Sequence, residues 1–180
     1  TNGNPFFIEQ LALDLRERGL LERQTAESVG LSAQSARFSS EVPASITAVL
    51  IARLDRLAPP LKAVVQMAAV LGQEFDLHVL ARMLPDAAGA IAHIQQAEAE
   101  MIWSAAGETR YRFRHSLLRD AAYDMQVYAR LRELHARAGA AIEQVYGEAL
   151  AGQIAELAYH YGQAEDTERE RQYVALLGEQ

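Results

Sequence analysis

Apolar positions along this chain recur mostly at helical spacing, and proline, glycine and capping residues punctuate the runs. Asn4 can cap a helix with Pro5 at its first position, and FFIEQLALDLRERG keeps a broad apolar face until Gly19 ends it. Residues 20–42 mix Gln, Ser, Thr, Ala and Gly with weak periodicity and read as a connector carrying a domain boundary. In ASITAVLIARLDRL one helical face collects Ile46, Val49, Leu50, Leu54 and Leu57. Pro59-Pro60 begins a second helix that ends at Gly72. Asp76 caps a short third one stopped by Pro85, and a fourth runs from Asp86 to about Met101.

The period then changes. MIWSAAGETRYRFRH predicts two extended stretches around a turn at Ala105 to Glu108. Alternation puts Arg110, Arg112 and Arg114 on one strand face and Tyr111 and Phe113 on the other. That basic face can be solvated, can meet an acidic partner, or can meet phosphate. Helices followed by a hairpin describe a winged helix. Beyond it, SLLRDAAYDMQVYARLRELHARAGAAIEQVYG, ALAGQIAELAYHYGQAED and TERERQYVALLGEQ predict successive amphipathic helices. Ala151, Ala155 and Ala158 are placed for tight helix contacts, as in helix-pair repeats. The predicted fold is mainly α: a winged helix with a small β-hairpin, then paired amphipathic helices.

Composition narrows the chemistry. The 180 residues are half hydrophobic, enough for a sizeable core. No apolar run is long enough to span a bilayer, and TNGNPFFIEQ lacks the basic head and apolar core of a signal peptide, so a cytoplasmic location without membrane contact is expected. The chain opens without a methionine and closes on RQYVALLGEQ, still helical in pattern, and both ends are expected to lie within a larger protein. With no cysteine, the sequence has no disulfide, thiolate metal site or cysteine nucleophile. A net charge of −7 makes the chain a poor general binder of nucleic acid. The would-be recognition helix from Asp86 to Met101 carries Asp86, Glu98 and Glu100 but no lysine or arginine, so no nucleic acid is expected to be bound directly. Lys62 is the one lysine, and no glycine-rich turn precedes it, so no phosphate loop of the GxxxxGK[ST] kind is present. No serine sits in a nucleophile elbow. Glu156 and His160 share a helical face four residues apart, but without a third ligand in range they predict no metal site.

His115 is the position where chemistry concentrates, because RYRFRH runs straight into the amphipathic helix SLLRDAAYD. At a strand-to-helix junction the first N–H groups of the helix and its dipole favour an anion, and a histidine there can help read a nucleotide phosphate. It can equally bond a neighbouring carbonyl and close the turn. The residues alone leave both open.

Four segments together, GNPFFIEQL, VPASITAVLIARLDRLAPPLKAVVQMAAVLGQEFD, YRFRHSLLRDAAYD and AELAYHYGQAED, resemble the C-terminal part of the regulatory ATPase module of the STAND class. Such modules occur in multidomain bacterial adenylate/guanylate cyclases and in large helix-turn-helix transcription regulators. The resemblance covers nearly the whole chain. It implies the last helix of a small helical domain with its connector (1–41), a winged-helix domain (42–127) and the start of a tetratricopeptide-like (TPR-like) superhelix (128–180). It also implies a non-catalytic fragment of an ATP/ADP switch coupled to a fused output domain, with a class III adenylate/guanylate cyclase favoured by the style of FRHSLLRDAAYD. ATP or ADP and Mg²⁺ would belong to the parent protein, and this fragment would hold no cofactor of its own.

By the same resemblance, Pro5 of Gly3-Asn4-Pro5 matches the family proline that lies against the adenine ring. His115 matches the histidine that approaches the ADP β-phosphate in related ATPases, although Ser116 stands where an acidic residue usually follows. The implied partners are the P-loop domain of the same parent chain and a protein or ligand at the helical repeat. A plain interaction scaffold, or part of a transcription regulator whose DNA-binding domain lies elsewhere, is the alternative.

Overall fold

The structure, a computed structural model, describes residues 21–23, 29–31, 46–85 and 87–178. It is mainly helical with a small antiparallel sheet, as the hydrophobic pattern predicts. The chain divides into two compact units, residues 1–56 and 57–180.

In the first unit, β1 (Leu21–Arg23) and β2 (Val29–Leu31) pair antiparallel, with Leu21 opposite Leu31. The sequence predicts only a connector here, because three-residue strands are too short for alternation to register. Helix α1 (Ile46–Asp55) buries Val49, Leu50 and Leu54 from the predicted face. The helix predicted from Pro5 to Gly19 lies outside the described residues.

The second unit is built on α2 (Pro59–Leu71). Its proline start is matched by a stop at Gly72, whose φ of 122° suits a residue without a Cβ. Nearly every α2 side chain from Leu61 to Leu71 is buried or half-buried, which makes it the central helix of the unit. Strand β3 (Glu74–Asp76) leads directly into α3 (Leu77–Met83), where the Asp76 carboxylate accepts a bond of 2.7 Å from the His78 N–H. Helix α4 (Ala87–Ala99) follows, then β4 (Trp103–Ala105) and β5 (Arg110–Phe113).

The sheet has the order β3-β5-β4, all antiparallel. Sequence patterning predicts the β4-β5 hairpin but misses β3, whose three residues sit between two helices. Phe75, Tyr111, Phe113 and Trp103 fall on one face, and three of these four, Phe75, Phe113 and Trp103, are buried. The Trp103 and Phe113 rings meet edge to face at 5.6 Å, and the Trp103 indole N–H donates to the Ile94 carbonyl, fixing the sheet to α4. Glu74, Arg110 and Arg112 occupy the opposite face.

Helix α5 (Ser116–Asp124) packs on α2, and α6 (Tyr128–Tyr146) packs on both α2 and α3. Residues 57–127 of the segment expected as winged helix therefore share one compact unit with the segment expected as helical repeat, whereas α1 belongs to the other unit. A 3₁₀ segment (Gly147–Gln153) turns the chain into α7 (Ile154–Gln163), and α8 (Thr167–Gly178) returns along it.

The expectation for Ala151 and Ala155 is corrected here. Both are exposed, and only Ala158 is buried, because the 3₁₀ segment breaks the periodicity that linked them. The close helix contact is instead Gly139 of α6 against the ring of Tyr161 on α7. Among the described residues no helix is long and apolar enough to cross a membrane.

Candidate functional site

His115 occupies the junction that the sequence assigns to it. It is the N-cap residue of α5, with extended backbone (φ −139°, ψ 132°) two positions after the end of β5, and its carbonyl accepts from the Leu118 N–H at 3.1 Å. Its side chain makes no capping bond to the helix it begins, and the residue is half-buried. Ser116 and Leu117, in the first turn, are exposed. Pro5, the other expected nucleotide contact, lies outside the described residues.

The arginines before His115 differ in surroundings. Arg112 is directly opposite Glu74 in the sheet, and its guanidinium donates to the Glu74 carboxylate through both Nε and Nη2. The acidic partner of that strand face is thus partly supplied from within the chain. Arg110 lines a cavity of about 20 Å³ with Glu74, Asp76, Tyr146 and Glu156. Three carboxylates around one guanidinium oppose an incoming phosphate, which makes Arg110 a poor anion reader. Thr109 donates to the second oxygen of Asp76 at 3.0 Å, so the hairpin turn and the start of α3 are held by one carboxylate.

The helix considered for DNA reading presents Ile91, Ala92, Gln95, Gln96, Glu98 and Glu100 outward. No cation stands on that face. Trp103 and Phe113 are fully buried and Tyr111 is half-buried against Phe75, so the hairpin aromatics pack the core side of the sheet and form no stacking platform.

A second cluster lies where α5, α6 and α7 meet. The Tyr123 hydroxyl is 2.9 Å from His135 Nε2, and His135 Nδ1 is 2.9 Å from His160 Nδ1. His160 Nε2 then stands 3.8 Å from the Glu156 carboxylate, beyond hydrogen-bond reach, and has no other partner. Both histidines are 1 % exposed. Burial, then the neighbouring His160 and Arg119, push the His135 imidazole down to about 4. Arg119 is itself held by a bond of 2.8 Å to the Ala69 carbonyl and lies over the Tyr123 ring.

Sequence reasoning paired His160 with Glu156 but missed His135. The signal was present: His135 continues the buried stripe of Leu134, Ala138 and Ile142, and His160 that of Leu157 and Tyr161. What periodicity could not supply is that the two stripes face each other.

Between α7 and α8, Tyr161 and Tyr173 stack at 5.7 Å, and Arg169 donates to the Tyr161 hydroxyl at 2.6 Å. Both phenols are pushed up to about 12, mainly by burial and then by Glu143. This is a structural joint between α7 and α8. Among the described residues no group of three or more acidic or histidine side chains could hold a metal ion. In comparisons with known proteins, no family model, curated protein or solved structure matches the chain.

Proposed function

We propose that this chain is a non-catalytic regulatory piece of a STAND-type ATP/ADP switch, with the β3-β5-β4 sheet and its helices acting as the winged helix and α6 to α8 as the start of the signal-receiving superhelix. The observation that carries the reading is His115 at the strand-to-helix junction, as the N-cap residue of α5. A histidine at that point lies beside the helix end that favours an anion, which suits a residue that senses the phosphate of a nucleotide held by another domain. The switch needs an interface favoured in one nucleotide state by a few kcal/mol, within reach of one charge-assisted contact plus domain packing.

On this reading the P-loop domain of the parent chain holds ATP or ADP and Mg²⁺. The output is a fused class III nucleotide cyclase, and the whole is cytoplasmic. The exposed Val174, Leu176 and Leu177 on α8 favour a second role of the same region as a protein-interaction surface. Calorimetry of the isolated chain with ATP and with ADP tests the assignment of chemistry elsewhere: no binding tighter than the millimolar range is expected. Micromolar binding of either nucleotide by these 180 residues contradicts it.

A further inference from the structure

Two buried imidazoles that meet through the same kind of nitrogen pose a counting problem. Each neutral ring has one N–H, so a 2.9 Å contact between His135 Nδ1 and His160 Nδ1 requires one nitrogen to donate and the other to be bare. The Glu156 carboxylate sets the direction. A bare His160 Nε2 would point its lone pair at that anion, so Nε2 carries the proton, His160 Nδ1 is bare, and His135 Nδ1–H donates to it. His135 Nε2 then accepts from the Tyr123 hydroxyl.

One added proton can be held. One N–H still lies between the two Nδ1 atoms, and the outer nitrogens of both rings then carry hydrogens, one toward Glu156 and one toward Tyr123. A second proton cannot be held, because two N–H groups would then face each other across 2.9 Å on two cations.

We propose that Tyr123, His135 and His160 form an acid-operated latch between α5, α6 and α7, closed with no or one extra proton and opened by the next. The groups that face it are Tyr123 and Arg119 from α5, and Glu156 and Tyr159 from α7; α2 contributes the Ala69 carbonyl that anchors Arg119. Arg119 opposes protonation of His135. Glu156 is 39 % exposed, which gives the proton a solvent-facing entry. Opening separates α7 from α6 and leaves the α2-centred core intact. The latch stands independently of the nucleotide reading.

Hydrogen–deuterium exchange of the full chain between pH 7.5 and 5, corrected for intrinsic rates, tests it. Amides of α7 should lose protection by about tenfold per pH unit below the ordinary histidine range, since opening takes up at least one proton, while those of α2 keep theirs. In the double variant H135L/H160L, where an apolar pair replaces the titrating one, α7 protection should not depend on pH. Constant α7 protection in the wild type, or equal acid opening in H135L/H160L, overturns the latch. Titration of the ring nitrogens by NMR in the wild-type chain decides the matter even if that variant folds poorly. The Nδ1–Nδ1 hydrogen bond must vanish in the step that deprotects α7, and its loss with α7 still protected also overturns the proposal.

Discussion

Replacing Gly139 by alanine separates two effects of opposite sign. Gly139 lies within α6, where alanine is intrinsically favoured over glycine by about 1 kcal/mol. A Cβ at that position would lie 2.7, 2.9 and 3.0 Å from three atoms of the Tyr161 ring, well inside van der Waals contact. The ring cannot give way cheaply. It is 1 % exposed, stacked on Tyr173 and bonded through its hydroxyl to Arg169, whose guanidinium lies 5.0 Å from the ring centre. Overpacking of this kind costs roughly 1–3 kcal/mol and, with so constrained a ring, belongs in the upper part of that range. The net expectation is a loss of about 1–2 kcal/mol. In urea denaturation followed by circular dichroism this lowers the midpoint by roughly 0.5–1 M at an ordinary slope. Most of the cost should disappear in a Tyr161→Leu background, because the clash partner is gone. An unchanged or raised midpoint for Gly139→Ala in the wild-type background would show that helix propensity wins and that α6 and α7 do not approach this closely.

Other consequences follow from single contacts. Asp76→Ala removes both the α3 cap and the acceptor of Thr109, and should cost about 1–2 kcal/mol in the same assay, with Asp76→Asn retaining most of it. For pH, the depressed His135 fixes the sign: the unfolded ring binds a proton near 6.5 and the folded one only near 4. Stability is therefore full above pH 6.5 and falls by about 3 kcal/mol as pH drops to 4, a loss that His135→Leu should largely remove. A flat stability profile across that window would place the ring in a wetter setting than α5, α6 and α7 provide.

What was legible in the sequence follows from how local each signal is. The Pro59-Pro60 start, the Gly72 stop, the Asp76 cap and the Tyr111/Phe113 alternation are carried by a few adjacent residues, and the structure has α2, α3 and β5 where those residues put them. Strand β3 was not legible because three residues carry too little period, and its pairing partner lies 38 positions away in the case of Glu74 and Arg112. The histidine pair is hidden for the same reason. His135 and His160 are 25 positions apart on separate helices, each in its own apolar stripe, and only the packing of α6 on α7 joins them. The position of His115 was legible because a strand pattern changes to a helix pattern at that residue. What it touches is set by surfaces that meet in three dimensions, which the periodicity of one chain does not encode.

The most direct measurement of the switch reading is the affinity for ADP and for ATP of a longer chain that includes the P-loop domain this reading requires, comparing wild type with His115→Ala. The switch reading predicts a selective loss of ADP affinity of about tenfold or more, the worth of one charge-assisted contact, with ATP affinity held. Equal affinities of the variant and the wild type for both nucleotides would contradict it. His115 would then be a residue that closes a turn, and the chain would be better described as a helical scaffold.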